Sequence, residues 1–165
     1  MTTTKKPRSP GAEDGAVKRA LHLWVVLSRA YAAVQAHAQA DVARHGLTIA
    51  EFGVLEALYH KGPLRLGEVQ AKVLVSSGGT TWLADRLEAR GLVRRVPAAE
   101  DRRARVVALT PAGERLVRRI FPAHARRIRD ALAGLGAAEQ RDAIRLLRAL
   151  GLHAAGSQAR EPSDA

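Results

Sequence analysis

The chain has 165 residues, 47% of them apolar and only 4% aromatic, and its 27 Lys and Arg against 16 Asp and Glu give a formal net charge of +11. That length allows one domain with an extension. A core of Leu, Val and Ala buries little area per side chain, which favours a second copy to bury more. There is no cysteine, which excludes disulfides, thiolate metal sites, thiol nucleophiles and cysteine redox switching. No run of 18 apolar residues occurs, so no membrane span is expected.

Residues 1–16 are polar, with Lys5 and Lys6, and lack the apolar core of a signal peptide. They are expected to form a disordered arm, and the expected location is the cytoplasm. From Val17 to His45 apolar residues recur at helical spacing (Val17, Leu21, Trp24, Leu27, Tyr31, Val34), and Gly46 supplies a stop. A helix of that span is about 45 Å long at 1.5 Å per residue. It is longer than a small domain needs to cover itself, so part of it should meet another subunit.

Thr48 and Glu51 have capping-box spacing and open a second helix through Phe52, Leu55 and Leu58 to His60, ended by Gly62-Pro63. Leu64 to Leu66 reads as a short extended piece and Glu68 to Leu74 as a brief third helix. Ser76 or Ser77 caps a fourth, which ends at Arg90 before Gly91. Leu92–Val96 and Arg105–Leu109 alternate as strands around a polar loop. Thr110-Pro111 starts a fifth helix, in which Pro122 is expected to make a kink or a split. Gly134 and Gly136 break the pattern, and Ala137 to about Leu152 reads as the last helix, with a frayed polar tail over 156–165.

A short helix, a tight turn and a second helix with a serine-rich start make a helix-turn-helix, and the basic hairpin after it makes a wing. Side chains on the first two turns of the second helix reach base edges, which singles out Ser77, Gly78, Gly79, Thr81 and Trp82, while Ser76 and the helix N-terminus suit a phosphate. The two glycines cost roughly 1 kcal/mol each against Ala in a helix, and bare backbone there permits close approach to DNA. Trp82 can contact sugar or a thymine methyl, or pack back on the hairpin. Arg86 can bind a phosphate or pair with an acid. At the hairpin tip, Asp101 and Arg103 lie two apart and point the same way on an extended segment, so the acid can hold the guanidinium ready for a narrow minor groove. Arg102 and Arg105 suit phosphates. An Arg- and Ala-heavy composition also follows from a GC-rich genome, so the distribution of charge weighs more than its total. From Arg94 to Arg127 there are ten Arg and three acids, a local net of +7, and such a field suits a phosphate backbone.

Leu47-Thr48, Glu51-Phe52, Gly62 to Leu66, Asp85-Arg86-Leu87-Glu88, Gly91-Leu92-Val93, Asp101-Arg102-Arg103 and Leu109-Thr110 with Gly113 together resemble the MarR family of bacterial regulators. The resemblance runs from about Val17 to Leu152. It implies a mainly α (α+β) winged helix-turn-helix in the order α-α-β-α-α-β-wing-β-α-α, forming a homodimer through the first, fifth and sixth helices. One domain is then expected over 17–155, with the winged helix-turn-helix at about 47–110 and dimerisation helices at about 17–45 and 111–152. The resemblance also implies a palindromic operator of double-stranded DNA, Arg103 in the minor groove, and release by a small, often phenolic, effector.

Within the family, LHLWVVLSRAY, TIAEFGVLEALYHKGPL, EDRR and IFPAHARRI are most similar to the quinone- and catechol-responsive MhqR-like branch. That similarity places an aromatic effector at Trp24, Phe52, Glu56 and His124. Phe52 and Glu56 are four apart and share a helix face. Glu56 can accept a phenol hydrogen bond, His124 can donate or accept, and Trp24 offers a stacking surface. Without the resemblance, Trp24 and Phe52 read more readily as core, and Glu56 reads as a solvated charge and His124 as a cap at Pro122. Other readings are a family member sensing urate or another organic acid, with Arg29 or Arg86 at the pocket centre, and a non-specific architectural DNA binder. An enzyme is not expected: the six His have no close metal spacing, and there is no Gly-rich phosphate loop or nucleophile elbow. No cofactor and no metal are expected.

Overall fold

A computed structural model of the chain describes residues 10–73, 77–98 and 104–158. The order is α1 (Pro10–Ala43), α2 (Ile49–Lys61), α3 (Leu66–Val73), α4 (Ser77–Ala89), β1 (Val93–Pro97), β2 (Arg105–Leu109), α5 (Pro111–Ala131) and α6 (Ala137–Gln158). Two compact units are present, one up to Ile128 and one from Arg129.

The sequence signals for helix ends are where the structure uses them. Thr48 and Glu51 form a complete capping box: the Thr48 N–H donates to Glu51 Oε2 at 2.7 Å, and the Glu51 N–H to Thr48 Oγ1 at 3.1 Å. After α1 the chain turns at Gly46 (φ 67°), with the Gly46 N–H on the Ala43 carbonyl and the Leu47 N–H on the Val42 carbonyl. After α4, Gly91 (φ 68°) does the same, with Leu92 donating to the Leu87 carbonyl. Both are the paired closing bonds that a left-handed residue permits.

Four expectations need correction. The first helix begins at Pro10, not Val17, so 10–16 belongs to α1 rather than to an arm. Pro10 suits a first helical position, Glu13 lies in the first turn, and Asp14 pairs with Lys18 at 2.8 Å. The extended piece at Leu64–Leu66 shrinks to one bridge, Leu64 to Val107, because α3 starts at Leu66. Glu68 causes that early start: its carboxylate accepts the Arg65 N–H at 2.7 Å. Of the kink or split expected at Pro122, the split does not occur: α5 runs through it to Ala131, because the proline removes only one donor. Finally, α6 continues to Gln158, six residues past the expected end and through Gly156, part of the expected frayed tail.

In the first unit the core gathers around α2, where Phe52, Val54, Leu55 and Leu58 are all buried. Val42, Val69, Leu83, Leu87, Val117 and Ile120 pack there from α1, α3, α4 and α5. The hairpin is antiparallel, with Val93 opposite Leu109 and Pro97 opposite Arg105, and the Leu64 bridge ties it to the start of the helix-turn-helix. In the second unit, Glu139 accepts the Gly136 N–H and the Gln140 amide donates to the Leu132 and Leu135 carbonyls, which fixes the turn before α6.

Candidate functional site

Helix α4 turns Thr80, Leu83, Ala84 and Leu87 into the core. At 3.6 residues per turn, Trp82 and Asp85 then lie on the outward crest. Trp82 is 56% exposed. The Arg86 guanidinium lies 5.3 Å from its ring centroid, a cation–π distance. Thr81 is exposed on the same two turns, with Ser77, Gly78 and Gly79 ahead of it in the helix. Ser76, Asp101, Arg102 and Arg103 lie outside the described residues.

Arg86 takes the second of its two readings. Its Nε is 2.7 Å from Glu51 Oε1, and Arg90 Nη1 reaches the same oxygen at 3.4 Å and the Gly46 carbonyl at 3.0 Å. Glu51 itself is fully buried. Burial pushes its carboxyl up, but the Thr48 N–H, Arg86 and Arg90 outweigh that and hold it below its ordinary value. One internal carboxylate therefore joins the capped start of α2 to the outer half of α4. Arg95, on β1, is also engaged, pairing with Asp85 and Glu88 of α4, and its own N–H donates to Glu88 at 3.0 Å. These bonds fix the hairpin to the helix. Arg94, near the root of the hairpin, and Arg105, at its loop end opposite Pro97, are both exposed.

A cavity of about 440 Å³ opens between α1, α2, the end of α3 and α5. It brings together Phe52, Glu56 and His124, three of the four residues expected to hold an effector. Trp24 is not among them: it is 66% exposed on α1, seven residues before Tyr31, which does line the cavity. Tyr31, Gln35, Gly53 and Val73 are lining residues that sequence reasoning did not assign. Tyr31 had a signal, since positions seven apart share a helix face. The His124 ring lies 4.7 Å from that of Phe52, and its Nδ1 is 3.2 Å from Asp41 Oδ2. Asp41, also missed, is fully buried and pairs with Arg127 Nε at 2.9 Å and with Arg44. The imidazole is thereby held between the Phe52 ring and the Asp41 carboxylate. A larger recess of about 760 Å³ lies under the hairpin, with Arg65 and Glu68 on its wall, but it holds none of the aromatic or imidazole groups. Among the described residues no cluster of three potential metal ligands occurs, and no helix is long and apolar enough to cross a membrane.

A family model described as the MarR family matches residues 45–104. The chain is 38% identical over 137 residues to the uncharacterised HTH-type transcriptional regulator YkoM of Bacillus subtilis, covering 83% of this chain and 89% of that one. It is 37% identical over 137 residues to the HTH-type transcriptional regulator MhqR of the same organism, covering 83% and 94%. Among solved structures, Bordetella bronchiseptica BpsR, whose DNA binding is regulated by 6-hydroxynicotinic acid, superposes with a TM-score of 0.69 at 32% identity, over 76% of this chain and 90% of that one. These relatives are transcriptional regulators rather than enzymes, and with the winged helix-turn-helix built as described, the chain belongs to the MarR family.

Proposed function

We propose that the protein is a homodimeric repressor that binds a palindromic operator and is released from it by a phenolic or quinone-type molecule in the cavity of Phe52, Glu56 and His124. The observation that carries this reading is the position of that cavity. Its wall includes Val73, the last residue of the first helix of the helix-turn-helix, so an occupant presses on the DNA-reading element. Glu56 accepts a phenol hydrogen bond, His124 faces the ring from α5, and Phe52 and Tyr31 offer aromatic surface. Among the described residues no Lys or Arg lines the cavity, which disfavours urate or another anion held by Arg29 or Arg86.

The dimer is supported by two apolar faces. Val17, Leu21 and Trp24 on α1 are more than half exposed, and so are Ile144, Leu146 and Leu152 on α6. Trp24 is reassigned to this interface. Two reading helices then sit about one DNA turn, roughly 34 Å, apart, with Arg103 of each wing in the flanking minor groove and Arg102 and Arg105 on phosphates. An occupant shifts the population toward a spacing that no longer fits.

The test is release of a fluorescent operator duplex by catechol, 2-methylhydroquinone, 6-hydroxynicotinic acid and urate. Catechol and the hydroquinone are expected to release it and urate to leave it bound. Glu56→Gln should weaken the catechol response about tenfold, the size of one hydrogen bond to a charged acceptor. Unchanged catechol sensitivity in that variant removes the cavity from the mechanism. Salt-sensitive binding with no preference among duplexes would favour the architectural alternative instead.

A further inference from the structure

We infer that Trp82 reads a thymine methyl in the major groove, and that Glu51, acting through Arg86, is the positioning residue that fixes its indole. This rests on the reading of α4 as the DNA-contacting helix.

Three observations carry it. Trp82 stands on the outward crest of α4, 56% exposed, and is the first large side chain of that helix. An indole of this size left in water on a surface otherwise rich in charge gains by meeting an apolar group. In the major groove that group is the C5 methyl of thymine. The indole is also not free to swing. Arg86 lies 5.3 Å from its centroid and offers a flat cation as a platform. Arg86 in turn is held by its Nε at 2.7 Å from Glu51, which is buried and tied to the N-cap of α2. Each link restricts the next, so the entropy of ordering the indole is largely spent before DNA arrives.

The chain of contacts makes an unusual prediction about charge. Glu51→Gln keeps the capping box, since Gln serves there as well as Glu, and it raises the net charge of the protein by one. By general electrostatics it should therefore bind any DNA more tightly. If Glu51 positions Trp82, it instead loses affinity for its preferred sequence.

The experiment begins with a duplex selected by the wild-type protein from a random pool. Each dT in one half-site is then replaced singly by dU, which removes only the methyl group, and affinity is measured by anisotropy at fixed salt. Wild type is expected to lose about fourfold at one position, the worth of one methyl group withdrawn from water. Trp82→Ala should bind more weakly and show no loss at that position. Glu51→Gln should lose both affinity for the selected duplex and the dU effect, while binding an unrelated duplex at least as well as wild type. Trp82 is exposed, so its variant folds, and it decides the matter if Glu51→Gln does not. A dU effect that survives Trp82→Ala overturns the assignment to the indole. A Glu51→Gln protein that folds and behaves as wild type overturns the positioning role. A wild type that selects a sequence without any dU-sensitive position refutes this inference alone, whereas one that selects no sequence refutes the regulator reading beneath it.

Discussion

Gly53 lies inside α2, on the cavity wall, and a methyl group added there has two opposite consequences. Its Cβ would sit 3.3 Å from Val73 Cγ1 and 4.0 Å from Cγ2, with nothing else so near. That first distance is tight by a few tenths of an ångström. Val73 ends α3 and is only partly buried, so it can give way at a cost below the ~1 kcal/mol at the low end of overpacking. Against this, replacing Gly by Ala in a helix interior gains roughly 1 kcal/mol. The balance is a small stabilisation of about 0.5 kcal/mol, or a rise of about 1–2 °C in Tm for a protein of this size. The same methyl group occupies space an effector needs and stiffens the α2–α3 contact. Gly53→Ala should therefore melt slightly higher and respond less to catechol. The assay is a thermal melt at fixed protein concentration, because dimer dissociation moves Tm, paired with catechol-driven release of DNA. A Tm lowered by several degrees would show that Val73 cannot move, and an unchanged catechol response would show that the effector sits elsewhere.

Gly113→Ala is expected to be severe. A Cβ there would lie 2.0 Å from the Leu92 carbonyl oxygen, an overlap that costs about 3 kcal/mol and lowers Tm by about 10 °C; a melt like that of wild type refutes the tight contact. Arg103→Ala and Arg105→Ala should each reduce the slope of log affinity against log salt by about 1 and leave the dimer intact in sedimentation; an unchanged slope removes that residue from the DNA contact. Glu51 has its carboxyl held below the ordinary value in the folded state, so its contribution to stability is complete above about pH 4.3, the unfolded value, and fades as pH falls through the folded one. The Tm gap between wild type and Glu51→Gln should thus narrow on acidification below that pH, and a constant gap would contradict it.

How much was legible in the sequence depended on whether the signal was local. Thr48 with Glu51, Gly46, Gly91 and Thr110-Pro111 each act within one turn of their own position, and each marks the boundary it was expected to mark. The early start of α3 was also encoded locally, in Glu68 reaching back to Arg65, but a strand reading of Leu64–Leu66 concealed it. The span of α1 was underestimated because Pro10 to Ala16 is polar, and an apolar stripe is no guide where a helix projects into water. Phe52, Glu56 and His124 were placed by family resemblance and do meet in one cavity. Tyr31 and Trp24 repeat along one face of α1, and only the packing of α2 and α5 decides which of the two faces the cavity. Arg44 is within one turn of Asp41, but the other partners of Arg86 and Asp41 were beyond reach, because they lie 35 and 83–86 residues away in sequence, in Glu51 and in His124 and Arg127.

The junction at Leu92 has a mechanical consequence. Its carbonyl accepts the Thr110 N–H at 3.0 Å, the Thr110 hydroxyl bonds the Gly91 carbonyl at 2.7 Å, and Gly113 lets the first turn of α5 rest directly on that strand. The exit of the reading helix, the root of the wing and the entry to α5 are thereby fused into one joint with no slack. Torque applied along α5 carries wing and reading helix together, as a bracket carries its arm. The contact of α2 with α3, where Gly53 leaves Val73 room to shift, lies outside that joint.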